Sequence, residues 1–318
     1  MIRIALALLF AFCSFSASSQ SYPARAVKIV VPFGVGGSAD VYGRFLAAKL
    51  SDATGQSFVV ENRPGGGAVI GTEAVAKSAP DGYTLLVMSN THTVNETLIP
   101  RKPYVLMKDL APVNGINSQD LLLAIPASVP ANNLREFVAL AKSQPGKLNY
   151  ASSGPGTPYH MAGELFKHLS GTNIVHVPHK GSDQARTALL GAQVEMMFDA
   201  ISTMIAHVKS GKAKALGTTG KSRSAVTPDV PTVAEAGVPG YEATIWLGLM
   251  APAGTPRPVL EKLNAEVGKI LASAEVREAW GKQGATPMSM SLEQFDRFLR
   301  DDVQKWSKLV KDTGMKVD

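Results

Sequence analysis

The sequence predicts an α/β fold, built as two lobes or one large α/β unit with mostly parallel strands. Two observations carry that prediction. Short β-branched runs alternate with amphipathic stretches, as strand–helix units require, and the alternation restarts after Pro130 as a second series. A third observation concerns the joints. No low-complexity linker separates the two series, so strands are expected to cross between lobes near residues 120–124 and 244–247. No repeat of fixed short period is present, which argues against a solenoid.

The elements follow in order. Lys28-Ile29-Val30-Val31-Pro32 reads as the first strand, with a helix over 39–50. A strand at 57–61 leads into a glycine-rich turn and a helix ending at Lys77, then a strand at 84–88. Two strand-like runs, 112–116 and 121–125, have no convincing helix between them. The second series predicts a helix over 134–142, a strand at 148–151, a helix over 158–169 and a strand at 174–177. Next come a helix at 184–190, a strand at 194–198, a helix at 201–209 and a strand at 213–218. Residues 245–251 return to strand character, and 258–272, 275–282 and 292–311 read as helices.

The N-terminus reads as an export signal. Arg3 gives a positive start, residues 4–12 are unbroken apolar, and Ser16, Ala17, Ser18 and Ser19 supply small residues for cleavage. Cleavage is expected near Ser19 or Gln20, so residues 1–19 are set apart from the fold. Cys13, the one cysteine, lies inside that segment behind Phe10-Ala11-Phe12, a poor context for a lipid anchor. The mature chain then has no thiol, which excludes disulfides, thiolate metal sites and a cysteine nucleophile. About 300 residues remain, enough for two lobes.

Charge narrows the partners. Lys plus Arg number 32 against 26 Asp plus Glu, a net charge of +6 scattered along the chain. No basic run or basic–aromatic interleaving points to nucleic acid. The positive field favours small anions instead.

Two loops carry chemistry. Between the first strand and helix lie Phe33, Gly34, Val35, Gly36, Gly37, Ser38 and Asp40. Glycines expose backbone N–H groups, and a helix start adds partial positive charge, so an anion can be held without Arg or Lys. The same loop reads equally as a plain turn in which Ser38 or Asp40 caps the helix. It lacks the third glycine of a dinucleotide fingerprint and the lysine of a phosphate-binding loop. In the second half, Ser152, Ser153, Gly154, Gly156, Thr157 and His160 repeat the device, with Thr157 as cap and Pro158 in the first turn. Facing each other across a cleft, the two loops would grip one anion. His160 serves either as a ligand contact or as a structural residue.

Further candidates are weaker. Asp199 ends the run before the helix at 201, either capping it or setting ligand selectivity at a strand's carboxyl end. His176 and His179 are poorly spaced on a strand and its exit for one metal, and no metal or cofactor is expected. Arg63 reads as a ligand clamp or as a brace for Glu61-Asn62. Trp246 and the pair Met196 and Met197 read as core. Asn90, after the third strand, and Lys180 complete the candidate contacts.

Six segments together resemble one family. Val31 to Asp40, Val60-Glu61-Asn62-Arg63-Pro64-Gly65-Gly66-Gly67, and Ala79-Pro80-Asp81-Gly82-Tyr83-Thr84-Leu85-Leu86 are similar to the Bug-type receptors of tripartite tricarboxylate transporters. So are Val177-Pro178-His179-Lys180-Gly181, Gly191 to Asp199, and Ala251-Pro252-Ala253-Gly254-Thr255-Pro256. The resemblance spans essentially the whole mature chain. It departs at His179, where the family pattern has Tyr, and at Gln184-Ala185, where it has Pro-Ala.

The resemblance implies a type II periplasmic-binding-protein fold of Venus-flytrap form. Residues 20–121 and 246–318 would form one lobe and 122–245 the other. It implies a monomeric periplasmic receptor that holds a small organic acid by backbone N–H groups and waters. Di- and tricarboxylates, acidic amino acids and aromatic acids stay open, with membrane components of the transporter as partners. An enzyme on a small anionic substrate is the rival reading. It lacks a Gly-x-Ser-x-Gly elbow, a zinc-binding His-Glu pattern and paired carboxylates. A ligand-presenting partner of a sensor would share the fold.

Overall fold

The computed structural model describes residues 22–313, so the export segment, Cys13 and the cleavage site lie outside the described residues. The first sheet is built on β1 (Val27–Val31), parallel to β2 (Phe58–Asn62) and β3 (Thr84–Ser89). Helices α1 (Ser38–Thr54) and α2 (Val69–Ala76) connect these strands, and α3 (Asn90–Leu98) follows β3. A short α4 (Leu106–Asp109) leads into β4 (Leu110–Pro126). The second sheet holds β5 (Asn149–Ser152), parallel to β6 (Val175–Pro178) and β7 (Met196–Ala200), and β8 (Ala213–Thr218). Its helices are α5 (Leu134–Ser143), α6 (Pro158–Ser170), α7 (Ser182–Leu190) and α8 (Ile201–Lys209). The chain returns through β9 (Thr244–Pro252), α9 (Arg257–Ala272), α10 (Ala274–Gly281), β10 (Ala285–Pro287) and α11 (Leu292–Thr313).

Every antiparallel pairing involves β4 or β9. Residues 110–120 of β4 pair with β9, and 121–126 pair with β7 and β8, so one strand passes from sheet to sheet between Asp120 and Leu121. The two strand-like runs of the sequence are thus one strand of 17 residues. Its polar middle is no loop. Asn114, Asn117 and Gln119 are buried there, and Gln119 links Ser38 of α1 at 3.0 Å to Ser202 of α8 at 3.2 Å.

Period-two burial explains why these strands are apolar on both faces. Leu121, Leu123 and Ile125 enter one core with Phe137, Tyr150, Phe166 and Phe198, while Leu122 and Ala124 enter another with Leu189 and Met204. In the first lobe Val27, Ile29 and Val31 pack on Tyr42, Leu46, Leu50 and Trp280. Val30 faces the opposite layer, where α11 lays Phe295 and Leu299 against Trp246. Trp246 meets Phe298 edge-on at 5.0 Å between ring centroids, a core contact.

Helix α3 has no apolar period, which is why the sequence hides it. Its buried polar side chains find partners instead: His92 Nε2 with Thr72 Oγ1 at 2.9 Å, Thr93 with Asp302, and Asn95 Nδ2 with the Gly67 carbonyl at 2.8 Å.

Candidate functional site

The loop from β1 to α1 is held from behind. Asp40 Oδ2 accepts from the Gly36 N–H at 3.0 Å, and Oδ1 accepts from Asn62 Nδ2 at 2.9 Å and pairs with Arg44 at 2.9 Å. Burial alone would raise the Asp40 carboxyl; Arg44, the Gly36 N–H and Asn62 outweigh it and hold it below its ordinary value. Gly36 sits at φ 73°, a left-handed turn that glycine adopts readily. Neither Ser38 nor Asp40 caps α1. The N-cap is Gly37, with no side-chain hydrogen bond, which leaves the first N–H groups of the helix without a side-chain cap.

The loop from β5 to α6 is braced differently. Thr157 caps α6 by accepting from the His160 N–H at 3.4 Å and donates to the Gly154 carbonyl at 2.7 Å. Ser152 Oγ accepts from the Gly154 N–H at 3.1 Å and meets His176 Nε2 at 2.7 Å. The Gly156 N–H donates to His160 Nδ1 at 3.1 Å, which assigns a neutral ring with its proton on Nε2. His160 stacks on His176 at 4.2 Å, and burial lowers both imidazoles.

Each loop closes the cleft against a different partner: Gly34 of the first meets the loop before α7, and Pro155 of the second meets the glycine turn before α2. A Cβ on Gly34 would stand 3.0 Å from the Gly181 Cα, and one on Gly67 2.8 Å from the Pro155 carbonyl oxygen. Glycine therefore lets opposing backbones touch, a second role besides baring N–H groups. Behind these contacts lies a cavity of about 870 Å³. Five helix starts line it: Gly37 and Ser38 of α1, Ala68 and Val69 of α2, Ser89 before α3, Pro158 and Tyr159 of α6, and Gly181 and Ser182 of α7. Each brings the positive end of a helix dipole. The lining includes Arg101, Lys102 and Lys180 but no carboxylate among the described residues. Phe33, Leu98, Ile99, Ile245 and Leu247 supply apolar surface. This cavity suits an anion with an apolar body. Among the described residues, no group of three or more His, Cys, Asp or Glu is arranged to hold a metal.

Of the candidates, Phe33, Gly34, Gly37, Ser38, Ser153, Gly154 and Lys180 line the cavity together. The others stand elsewhere. Val35 is 58% exposed at the surface. Gly36, Asp40, Ser152, Gly156, Thr157 and His160 make the bracing bonds just described, outside the lining. Asn90 turns to a small polar cavity of about 20 Å³ beside Thr244, Trp246 and Asp302, and donates to the Thr244 carbonyl at 3.1 Å. Asp199 corrects the cap reading of the sequence and stands apart from the cavity lining. It is wholly buried, pairs with Arg186 Nε at 2.6 Å, and accepts from the Ala200 N–H at 2.9 Å, without capping α8 or lining the cavity. Burial raises its carboxyl, and the Arg186 guanidinium opposes that rise. Arg63 pairs with Glu61, the bracing alternative.

Sequence reasoning missed Tyr159, one residue before the His160 it named, and the Gly65–Gly66–Gly67 turn it had quoted only as a motif. It also missed residues 98–103, whose Pro-Arg-Lys-Pro run was visible but had no element to place it. His179 lines the cavity with Nε2 buried and unpartnered.

Comparison with known proteins agrees with this geometry. The family model described as "Tripartite tricarboxylate transporter family receptor" matches residues 42–315. Protein BugT of Bordetella pertussis is 39% identical over 302 residues, covering 94% of this chain and 93% of that protein. An adipate-bound protein of R. palustris superposes with a TM-score of 0.90 at 33% identity, covering 93% of this chain and 99% of its own. MatC from Rhodopseudomonas palustris, with bound malate, gives 0.86 at 33% identity, covering 91% and 100%. The chain belongs to the receptor family of the tripartite tricarboxylate transporters.

Proposed function

We propose that this protein is a periplasmic receptor that captures a small organic carboxylate between its lobes. It presents the acid, chemically unchanged, to the membrane components of a tripartite transporter. The observation that carries the reading is the cavity itself: five helix starts and two cations without an ion pair, Arg101 and Lys180, converge on a lining that holds no carboxylate among the described residues. Adipate and malate in the related structures are the chemistry that such a cavity favours. Export through residues 1–19 delivers the chain to its compartment, and no helix among the described residues is long and apolar enough to cross a membrane.

Phe33, Gly34, Gly37, Ser38, Ser153, Gly154 and Lys180 are the proposed ligand contacts, joined by Tyr159, His179 and Ser182. Asp40, Asn90, Ser152, Gly156, Thr157, His160 and Asp199 hold the walls in place. Binding without turnover is supported by membership of a receptor family and by related structures that carry adipate and malate.

A thermal-shift screen over a broad acid library tests the proposal. Micromolar affinity is about 8 kcal/mol of binding free energy. A few charge-assisted hydrogen bonds of roughly 1.5–3 kcal/mol each, plus apolar burial, supply it after association losses. Small carboxylates should raise the melting temperature in proportion to affinity. Stabilisation by neutral or cationic compounds alone would contradict the reading.

A further inference from the structure

The cavity wall carries one charge that the helix starts do not explain. Beyond α3, the segment Ile99-Pro100-Arg101-Lys102-Pro103 lines the cavity, and Lys102 anchors it. Its ammonium pairs with Glu96 at 2.8 Å, with the two side chains only 4% and 17% exposed, and its N–H donates to the Ile99 carbonyl at 3.3 Å. Glu96 is fixed in turn by the Leu106 N–H at 3.1 Å. Pro100 and Pro103 restrict the backbone on either side.

Arg101 rides on this rigid segment. Its side chain makes no hydrogen bond or ion pair with a described residue, and the lining contains no carboxylate to receive it. Lys180 is also without an ion pair, but it stands at the Gly34–Gly181 contact, whereas Ile99 stands at the Gly67–Pro155 contact. Anion-attracting groups therefore sit at separate places on the wall, with Leu98, Ile99, Ile245 and Leu247 as apolar surface beside them. A guanidinium matches a carboxylate in a planar two-bond fork.

Resting on the carboxylate-receptor reading, we propose that Arg101 seats a second anionic group of the ligand. The protein then selects acids charged at both ends over monoacids of the same length. The helix starts hold the first carboxylate, the apolar wall covers the carbon chain, and Arg101 decides whether the far end is accepted.

Calorimetry on the mature protein with adipate against hexanoate, and glutarate against pentanoate, tests this. Wild type should prefer each diacid by about tenfold or more, the worth of one charge-assisted contact. Arg101→Gln should erase most of that preference while changing monoacid affinity by no more than about twofold. Arg101→Lys should retain part of it. Because Arg101 has no partner, the variants should melt with wild type, which separates the effect from unfolding. No diacid preference in wild type, or equal weakening of diacid and monoacid in Arg101→Gln, would overturn the role of Arg101 and leave the receptor reading standing. Wild-type protein that binds none of the four acids would overturn the role of Arg101 as stated, while the receptor reading falls only if the broad acid library also yields no carboxylate that binds.

Discussion

The β1–α1 and β5–α6 loops look alike in sequence and are built on different principles. In the first, a carboxylate reaches back: Asp40 ties the Gly36 N–H to Asn62 and Arg44, and α1 starts without a side-chain cap. In the second, hydroxyls and imidazoles do the tying: Thr157 caps α6, and Ser152, His160 and His176 lock Gly154 and Gly156. Apart from Phe33, both leave small residues on the cavity, Ser38 and Ser153 among them, and keep Asp40, Ser152, Thr157 and His160 outside its lining. A charge beside the anion would be repulsive in the first loop, so Asp40 is useful only because it faces the other way. Glycine serves the closing contacts as much as the ligand, Gly34 against Gly181 at the first loop and Gly67 against Pro155 of the second.

The largest effect should come from blocking that contact. Gly34→Val puts a branched side chain 3.0 Å from the Gly181 Cα, against backbone that cannot step aside. Overpacking of about 1–3 kcal/mol falls on the closed form alone, so affinity should drop about 10- to 100-fold with the unliganded melting temperature kept. Calorimetry beside a melt distinguishes this from misfolding.

Removing the braces should act on stability first. Asp40→Ala strands the Gly36 N–H and Asn62 and should lose about 1–3 kcal/mol by denaturant unfolding. Because the folded Asp40 value is depressed, its contribution is fully present above the ordinary carboxylate value. It is lost as pH falls through the folded value. Thr157→Ala should lose about 1 kcal/mol, the worth of a cap, with ligand affinity nearly unchanged. If Thr157→Ala lowered affinity more than stability, the second loop would be contacting ligand through its cap.

The smallest effect belongs to His179, whose imidazole is lowered by burial and is neutral near pH 7. Acidification adds a positive charge facing the anion, so affinity for a carboxylate should rise a few-fold as pH falls through that lowered value, about 0.5–1 kcal/mol. His179→Gln should flatten the profile on the acid side of the ordinary imidazole value of about 6.5 in a calorimetric series.

The strand–helix alternation was legible because burial of both strand faces leaves dense β-branched runs such as Ile29-Val30-Val31. Helix α3 and the polar middle of β4 were not, since the bonds of their buried side chains run to residues far away in sequence, as from Thr93 to Asp302 and from Gln119 to Ser38 and Ser202. The site was legible as two loops and illegible within them. Composition marks a loop that nears an anion, but only folding decides that Ser153 lines the cavity while Ser152 bonds His176. Asp199 illustrates the limit. Its place after a strand pointed to the cleft, and Arg186, 13 residues away, draws it into the interior.

Native mass spectrometry of protein freshly released from the periplasm tests the central claim most directly. The account predicts one small anionic molecule per chain, a carboxylic acid whose mass is unchanged after prolonged incubation with the protein. A neutral or cationic occupant, or an acid converted to a product of different mass, would contradict it.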